Sequence, residues 1–352
     1  MNRIKVGILG ATGMAGQRYL ELLNDHPYFD VCYLAASPRS AGKKYKDAVR
    51  SRWILNRSVA EEFANITVKN VDQVEEAADC KLVFSALDSS IAKEVEPKYA
   101  AAGKVVISNA SAFRNEPDVP VVIPEINSHH LQIIERQKAN RGWSGFIVTK
   151  PNCSIQSYLL PTYLLHRNFP VAEMVVQTMQ AISGAGYPGL SAMQIMGNVV
   201  PYIDGEEHKS EQEPLKILGS VEMDGIKNSQ FPRISAHCNR VPTIDGHMAC
   251  VSLSFQGEVP TIPQILDCWQ EVPSLDLPLA PKKPLVVHTD SNRPQVLLDR
   301  EDQSGMAVHV GRLRSCPVHH IRFVGLSHNT LRGAAGGGLL IAELLAKTNL
   351  IT

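Results

Sequence analysis

In the first 150 residues, short apolar runs alternate with stretches in which apolar residues recur at helical spacing. The runs that are rich in β-branched residues predict buried strands at 4–9, 31–36, 82–87, 105–109 and 146–148. Apolar residues at helical spacing lie between them, as from Tyr19 to Leu23 and from Ala92 to Ala102. Strands and helices that alternate in this way predict an α/β fold with a doubly wound parallel sheet.

After residue 150 the pattern changes. Residues 175–182 alternate between apolar and polar side chains, like a strand that buries one face. Residues 233–255 are rich in strand-forming residues, and the Asp245-Gly246 pair inside them predicts a hairpin-like turn. Further strands are expected at 285–288 and within 308–324. The second half is therefore expected to be an α+β domain.

The chain ends in a predicted helix that begins at about Leu331 and stays apolar through Leu345. Gly336-Gly337-Gly338 is expected to interrupt the start of this helix, because glycine is a poor helix former. We expect the helix to return to the first domain.

Three glycines follow the first predicted strand directly. Gly10, Gly13 and Gly16 form a GxxGxxG variant of the dinucleotide-binding motif, placed between a strand and a helix. In that motif the first glycine makes the tight turn, the second lets the backbone approach a pyrophosphate, and the third allows close helix packing. The pattern predicts a Rossmann-type nucleotide site; a plain glycine-rich turn is the alternative.

The end of the second predicted strand indicates which dinucleotide is bound. An NAD site is expected to place an acidic residue there for the ribose diol. This chain has Ser37, Arg39, Ser40 and Lys43 instead, and its next acidic residue is Asp47. Hydroxyl and cationic groups suit a 2′-phosphate, so the loop predicts NADP. A solvated basic loop is the alternative.

Charge balance, apolar run length and cysteine count argue against several classes of protein. The 352 residues carry 35 basic and 35 acidic side chains, which argues against nucleic acid or an anionic membrane as the main partner. No apolar stretch approaches 18 residues, and Met1-Asn2-Arg3 leads straight into a strand, so we expect neither a membrane span nor a signal peptide. The seven cysteines are odd in number and form no CxxC pair, which predicts a reduced, cytoplasmic chain without a structural zinc site.

One of these cysteines lies in a position typical of a nucleophile. Cys153 follows Pro151 and Asn152, a proline that blocks a helix before it and a good N-cap residue. We expect Cys153 on the first turn of a helix, where free N–H groups and the helix dipole favour a thiolate and could stabilise an oxyanion. Beside a nicotinamide-type fold, such a cysteine suggests aldehyde oxidation through a covalent thiohemiacetal. An inert buried cysteine is the alternative.

Several motifs occur in an order that resembles one family. They are GxxGxxG at Gly10–Gly16, Ser37-x-Arg39-Ser40, Pro151-Asn152-Cys153, Gln180-Ala-Ile-Ser-Gly, Glu206-x-x-Lys209 and Arg240-x6-His247. Together they resemble the aspartate-semialdehyde dehydrogenases over nearly the whole chain. The segments 311–317 and 327–336 are most similar to the archaeal and fungal branch.

The resemblance implies NADP-dependent, phosphate-linked interconversion of L-aspartate 4-semialdehyde and L-4-aspartyl phosphate, a step in lysine, methionine and threonine biosynthesis. Its partners would be a small-molecule substrate and inorganic phosphate, in a homodimer or homotetramer. The expected domains are an NADP-binding domain at 1–150, to which 329–352 returns, and a catalytic and dimerisation domain at 151–328.

The resemblance also implies site residues. Cys153 would be the nucleophile and His247 the general acid/base, with Gln180 orienting the substrate and Asn152 beside the nucleophile. The expected substrate-binding residues are Arg240 for the α-carboxylate, Glu206 for the α-amino group, and Lys209 and Arg114 for phosphate. The expected cofactor-binding residues are Gly10, Thr12, Gly13, Met14, Ser37, Arg39, Ser40, Ser85, Ser183, Gly184 and Asn329. No metal is expected.

The residues alone leave alternatives open. His237 competes with His247 as the base, and Glu206 and Lys209, three apart on a predicted helix, are by default an exposed ion pair. On the same fold, N-acetyl-γ-glutamyl-phosphate reductase, malonyl-CoA reductase and a non-catalytic NADP-binding protein are alternative functions.

Overall fold

The computed structural model describes residues 3–351. Met1, Asn2 and Thr352, at the two ends of the expected first domain, lie outside the described residues. Within the described range, the helices are too short or too polar to cross a membrane.

The first half of the chain forms a parallel sheet of six strands in the order β3-β2-β1-β4-β5-β6. The strands are β1 (Ile4–Leu9), β2 (Phe29–Ala36), β3 (Lys69–Asn70), β4 (Leu82–Ser85), β5 (Val105–Ser108) and β6 (Phe146–Thr149). The strand order reverses between β1 and β4, which is where a doubly wound sheet binds its nucleotide. The predicted Rossmann-type fold is confirmed.

Helices cover both faces of this sheet. They are α1 (Met14–Leu23), α2 (Tyr45–Val49), α3 (Glu61–Ala64), α4 (Ser89–Ala101), α5 (Pro124–Asn127) and α6 (Ile134–Arg141), with 3-10 turns at Val74–Ala77 and Ser128–Ile133. One face packs apolar residues of α1 and the C-terminal helix against the strands. The other packs residues of α4 around Tyr99. Two buried faces explain why the strands are continuous apolar runs.

The second half contains a mixed sheet of six strands in the order β10-β7-β11-β14-β13-β12, and a separate hairpin of β8 and β9. The strands are β7 (Val171–Gln180), β8 (Ser220–Glu222), β9 (Gly225–Lys227), β10 (Arg233–Arg240), β11 (His247–Phe255), β12 (Leu285–Val287), β13 (Val308–Ser315) and β14 (Ile321–Ser327). One face of the large sheet packs on the helix pair α7 and α10 around Trp269.

The helices of the second half are mostly short. They are α7 (Leu159–Asn168), α8 (Ala192–Ile195), α9 (Glu206–Ile217), α10 (Ile262–Gln270), α11 (Val296–Asp299), α12 (Asp302–Gly305, kinked) and α13 (Gly336–Lys347). Cys153–Ser157 and Ile182–Ala185 are 3-10 turns, and Leu331–Ala335 is a π-helical turn.

The predicted hairpin around Asp245-Gly246 is wrong. β10 and β11 do not pair with each other, because β7 lies between them, parallel to β10 and antiparallel to β11. The connection crosses the end of β7, where Val241 N–H donates to the Gln180 carbonyl. A turn motif fixes local geometry but not which strand becomes the neighbour. The crossing brings the start of β11 to the end of β7, which positions the site described below.

The predicted interruption of the C-terminal helix is also wrong. The π-helical turn runs directly into α13, which begins at Gly336 and passes through all three glycines. A Cβ on Gly338 would lie 2.0 Å from the Tyr19 hydroxyl oxygen, so the glycine allows α13 to pack closely on α1. Leu339, Ile341 and Leu345 of α13 belong to the apolar core of the first sheet, as expected for a helix that returns there.

Candidate active site

Cys153 begins a short turn just after β6. Asn152 caps this turn: its Oδ1 accepts hydrogen bonds from the Ser154 N–H at 2.9 Å and the Ser154 hydroxyl at 2.7 Å. The turn is a 3-10 helix that ends at Ser157, and Tyr158, with φ −137°, separates it from α7. The predicted α-helical first turn is therefore replaced by a shorter element with a smaller dipole.

The surroundings of Cys153 do not favour the resting thiolate that the sequence predicted. Burial raises the pKa of the Cys153 thiol, and the Glu206 carboxylate raises it further. Lys150, Arg114 and Arg240 act in the opposite direction but do not reverse the shift. The thiol form predominates near neutral pH, so the chemistry needs a group that takes or holds its proton.

His247, the first residue of β11, is fully buried and places its Nε2 3.3 Å from the Cys153 sulfur. Its Nδ1 accepts a hydrogen bond from the Ala181 N–H at 3.0 Å. In a neutral ring the proton is then on Nε2, which points at the sulfur. Burial and the nearby Arg240 lower the pKa of His247 to about 3, so the resting imidazole is neutral.

His237, the competing histidine, lies elsewhere. It is an exposed residue of β10, paired in register with the exposed Gln177 of β7. Its neighbours Ala236 and Cys238 are buried on the opposite face of the strand, which is the face that Arg240 shares. The structure therefore brings His247, and not His237, to Cys153.

Glu206 is the centre of a buried polar cluster beside the cysteine. Its carboxylate accepts hydrogen bonds from Asn152 Nδ2 at 2.9 and 3.0 Å, from Gln180 Nε2 at 3.1 Å and from Lys209 Nζ at 2.9 Å. Glu206 is 7% exposed, so the interpretation of an exposed surface ion pair with Lys209 is wrong. The Glu206 carboxylate, which comes from α9, thus joins three other expected site residues.

Arg240 lies on the other side of this cluster, at the end of β10. Its Nη1 donates to the Ala181 carbonyl at 2.7 Å, and no carboxylate of residues 3–351 forms an ion pair with it. A Cβ on Gly184 would lie 2.6 Å from that nitrogen and 3.1 Å from the His247 ring. The glycine thus lets the 182–185 turn pass close over both side chains.

Arg114 is buried and already paired. Its Nη1 donates to Glu213 Oε1 at 2.8 Å and its Nη2 to the Asn109 carbonyl at 2.7 Å, while its Nε is without a partner among the described residues. Glu213 also accepts from the Asn152 N–H at 2.6 Å. Sequence reasoning missed Glu213. It follows Glu206 by seven residues on α9, and that spacing, which places both carboxylates on one helix face, could have found it.

Lys150 was also missed. It is 3% exposed, lines the same pocket as Cys153, and its Nζ donates to the Pro151 carbonyl at 2.5 Å. Burial, and then the charge of Arg114, lower the pKa of Lys150 to about 7. Nothing in the sequence separates this lysine from an ordinary exposed one.

A pocket of about 580 Å³ connects the cysteine to the glycine loop after β1. The expected cofactor-binding residues that line it are Gly10, Thr12, Gly13, Met14, Ser37, Arg39, Ser183, Gly184 and Asn329. Ser40 and Ser85 are buried and are not lining residues. Arg52, which follows α2, also lines the pocket and was not among the expected residues.

Asn329 connects two loops at the middle of the pocket. Its Oδ1 accepts from the Gly246 N–H at 2.7 Å and its Nδ2 donates to the Ser183 hydroxyl at 2.8 Å. It therefore holds the loop before His247 against the 182–185 turn.

A separate group, His288, Asp299 and His309, has ligand atoms close enough to hold a metal ion, but none of the three lines the pocket. Arg293 donates to both oxygens of the Asp299 carboxylate, and the Gln295 N–H also donates to one of them. A cation would have to displace the guanidinium. The expectation of a metal-free protein stays a prediction.

Comparison with known proteins gives a match to one family model in each half of the chain. Residues 5–134 match the family described as semialdehyde dehydrogenase, NAD binding domain, and residues 163–332 match semialdehyde dehydrogenase, dimerisation domain.

Individual relatives cover nearly the full length of both chains. The aspartate-semialdehyde dehydrogenase of Archaeoglobus fulgidus is 46% identical over 99% of this chain and 100% of its own, and that of Schizosaccharomyces pombe is 45% identical over 99% of each. The crystal structure of the Candida albicans enzyme with NADP superposes with a TM-score of 0.91 at 40% identity, covering 99% of this chain and 100% of its own.

Proposed function

The chain belongs to the aspartate-semialdehyde dehydrogenase family, and we propose that it interconverts L-aspartate 4-semialdehyde and L-4-aspartyl phosphate with NADP and inorganic phosphate, in amino-acid biosynthesis. The observation that carries this proposal is the contact of 3.3 Å between Cys153 Sγ and His247 Nε2, at one end of a pocket that reaches the glycine loop. A nucleophile and a proton-carrying group at hydrogen-bond distance are the minimum for thioester chemistry.

The residues present fit NADP. The loop after β2 offers Ser37 and Arg39 to the pocket, and Arg52 adds a second guanidinium. The acidic lining residue, Asp88, follows β4 and not β2, where a ribose-binding carboxylate is expected. Bound NADP supplies the hydride acceptor for the aldehyde carbon.

Substrate charges are matched by two groups at the catalytic end. The guanidinium of Arg240 has no carboxylate partner in the described part of the chain and is suited to grip the α-carboxylate. Glu206 can accept from the α-amino group in addition to its present donors. Gln180, which donates to Glu206, holds that carboxylate in position.

The geometry also indicates how the protons are transferred. The Cys153 thiol releases its proton to bulk water as the sulfur attacks the aldehyde carbon, and the Nε2–H of His247 donates to the oxygen that becomes negative. When the hydride leaves, His247 takes back the proton from that oxygen, which leaves an acyl group on sulfur. Phosphate held by Arg114 and Lys209 then attacks the thioester carbon and releases the thiolate.

One spectrophotometric assay separates this function from its alternatives. NADPH formation should require aspartate semialdehyde together with phosphate. Malonate semialdehyde with CoA, and N-acetyl-glutamate semialdehyde with phosphate, should give rates lower by orders of magnitude. A preference for CoA over phosphate would establish the malonyl-CoA reductase alternative.

We further propose that the chain is at least a homodimer, in a reducing, cytoplasmic setting that the seven free cysteines favour. The outer face of the large sheet exposes Val175, Gln177 and Cys250, and it lies inside the range matched by the dimerisation-domain family. Val175→Glu should lower the molar mass measured by light scattering. The matched control is Met223→Glu, at an exposed position on the β8–β9 hairpin.

A further inference from the structure

Two cysteines outside the active site have their sulfur atoms in contact. Cys32 lies on β2 and Cys80 lies just before β4, and their Sγ atoms are 3.3 Å apart. Both are free thiols. Neither of them lines the pocket that contains Cys153, so the reaction proposed above does not use this pair.

The strand between the two cysteines leaves room for the contact. β1 separates β2 from β4 in the sheet, and the sulfurs meet over this strand, at Gly7. A Cβ on Gly7 would lie 3.3 Å from the Cys80 sulfur and 2.8 Å from the Tyr33 ring. A side chain at this position would therefore occupy the space that the sulfurs use.

The two thiols differ in accessibility. Cys32 is exposed and lies at a register shift between β1 and β2, where β2 has one extra residue. Cys80 is 2% exposed and belongs to the apolar core on one face of the sheet. An accessible thiol beside a second, resolving thiol is the arrangement found at redox-sensitive cysteines.

The groups around Cys32 favour its thiolate. The contact with the Cys80 thiol lowers the pKa of Cys32, and the charge of Lys5 lowers it further. Burial and the carboxylates of Asp30 and Asp79 act in the opposite direction but do not reverse the shift. The same contact and burial raise the pKa of Cys80. Cys32 is therefore the thiolate that attacks first, and Cys80 is the thiol that follows.

We propose that Cys32 and Cys80 form a reversible disulfide when the protein meets a disulfide oxidant such as oxidised glutathione. This inference goes beyond the proposed function and applies to a chain whose cysteines are reduced at rest. Disulfides of cytosolic proteins are usually transient and catalytic or redox-sensing. The bond would join β2 to the start of β4 across β1, the strand that ends at the glycine loop.

The exchange is balanced in two steps. The Cys32 thiolate attacks one sulfur of oxidised glutathione, whose S–S bond breaks as the bond between Cys32 and glutathione forms, and one glutathione thiolate leaves. Cys80 then loses its proton and attacks the Cys32 sulfur, which releases the second glutathione. Two cysteine thiols are oxidised and one glutathione disulfide is reduced. The two protons lost by the cysteines are taken up by the two glutathione thiolates.

The second step requires a small movement. A disulfide bond is about 2.05 Å long, so the two sulfurs must approach each other by roughly 1.3 Å. Cys80 is not part of a strand, and its N–H donates to the Ala77 carbonyl of the preceding turn at 2.9 Å. The approach can therefore take place in this turn, outside the sheet.

The test is peptide mass spectrometry after the folded protein has been exposed to oxidised glutathione. The remaining thiols are blocked with N-ethylmaleimide, and the chain is digested without reductant. The wild type should give a cross-linked peptide that joins Cys32 to Cys80, and dithiothreitol should restore both thiols. The rate of cross-linking should not depend on protein concentration, as expected for a bond within one chain.

Two variants separate the steps. Cys80→Ala lacks the resolving thiol and should stop with one glutathione on Cys32. Cys32→Ser lacks the attacking thiolate, and Cys80 should then be modified at least about tenfold more slowly than in the wild type, because a buried thiol with a raised pKa is unreactive. Cys32 is exposed, so Cys32→Ser keeps the test valid even where Cys80→Ala does not fold.

Cys316 is the matched control within the same chain. Its pKa is also lowered, by hydrogen bonds from the backbone N–H groups of His319 and Val318. Its sulfur accepts from the His319 N–H at 3.4 Å, but no second sulfur of residues 3–351 lies at hydrogen-bond distance from it. Cys316 should therefore take up glutathione and keep it, without forming a cross-link.

Two results would overturn the inference. Glutathione on both Cys32 and Cys80 of the wild type, without a cross-link, would mean that the sulfurs do not close the remaining distance. An unmodified Cys32 under conditions that modify Cys316 would mean that β2 does not present a reactive thiolate. The measurement needs neither NADP nor an aldehyde, so its outcome is independent of whether the proposed function holds.

Discussion

The two ends of the pocket are built differently. At the catalytic end, the side chains packed around Cys153 are buried behind the pocket wall and bind each other: His247 is 0% exposed, Gln180 1% and Glu206 7%, and all have protein partners. At the cofactor end, Ser37 and Arg39 are exposed and form no side-chain hydrogen bond with other described residues.

This difference shows which end of the pocket is held together by hydrogen bonds within the chain. Buried polar groups must be paired, so the catalytic end is preorganised by the fold before any ligand arrives. The exposed side chains at the other end obtain their partners only from the cofactor. Changes at the catalytic end should therefore affect the rate or the fold, whereas changes at the cofactor end should affect selectivity alone.

The largest effect is expected from the nucleophile. Cys153→Ala should abolish turnover, because among residues 3–351 it is the Cys153 sulfur that contacts the His247 ring and can form the acyl intermediate. NADPH binding, followed by fluorescence, should stay within about threefold of wild type if the two ends are separable. Residual activity above a few per cent would rule out the covalent route.

The next largest effect is expected at His247. His247→Ala should lower kcat by roughly 10²–10⁴-fold, the usual contribution of a positioned acid–base group. His237→Ala is the matched control on the exposed face of β10 and should change kcat by less than about twofold. A larger loss in His237→Ala would show that the catalytic end was assigned to the wrong histidine.

Arg114 tests whether the catalytic end is held by its own ion pairs. Arg114→Met leaves the buried Glu213 carboxylate without its guanidinium and should lower the free energy of unfolding by about 3–5 kcal/mol. Combining it with Glu213→Gln should restore part of that loss, as a double-mutant cycle would show. An unchanged free energy of unfolding in the single variant would contradict a catalytic end that is held by its own ion pairs.

The smallest effect is expected at the cofactor end. Arg39→Ala should lower the preference for NADP over NAD roughly ten- to a hundred-fold, because one charge-assisted contact is worth about 1.5–3 kcal/mol. NAD turnover and the melting temperature should hardly change. The two values of kcat/KM decide the point: a wild type that does not distinguish the cofactors would mean that Arg39 faces only solvent.

The same contrast explains what the sequence could predict. The cofactor end is formed by short contiguous segments after β1 and β2, so motif and composition were enough to place Gly10, Gly13 and Arg39 there. The catalytic end joins residues far apart in the chain: 94 positions separate Cys153 from His247 and 54 separate Asn152 from Glu206. Only the family resemblance connected them.

The misses share a physical cause. Whether Lys150 or Glu213 is a solvated charge or a buried one depends on tertiary packing, which local pattern does not contain. The chain bends at Asp245, but the order of the strands depends on the packing of the whole sheet, and β7 pairs with β11 where β10 was expected. Gly338 was taken for an interruption because its neighbour Tyr19 lies far away in the sequence.

The central claim is that Cys153 carries the acyl group, and trapping that species tests it most directly. Mixing the protein with aspartate semialdehyde and NADP in the absence of phosphate, followed by acid quench and peptide mass spectrometry, should give one NADPH per active site and one aspartyl group on the Cys153 peptide. Later addition of phosphate should remove the group and resume turnover. A burst of NADPH with an unmodified Cys153 peptide would contradict the covalent mechanism.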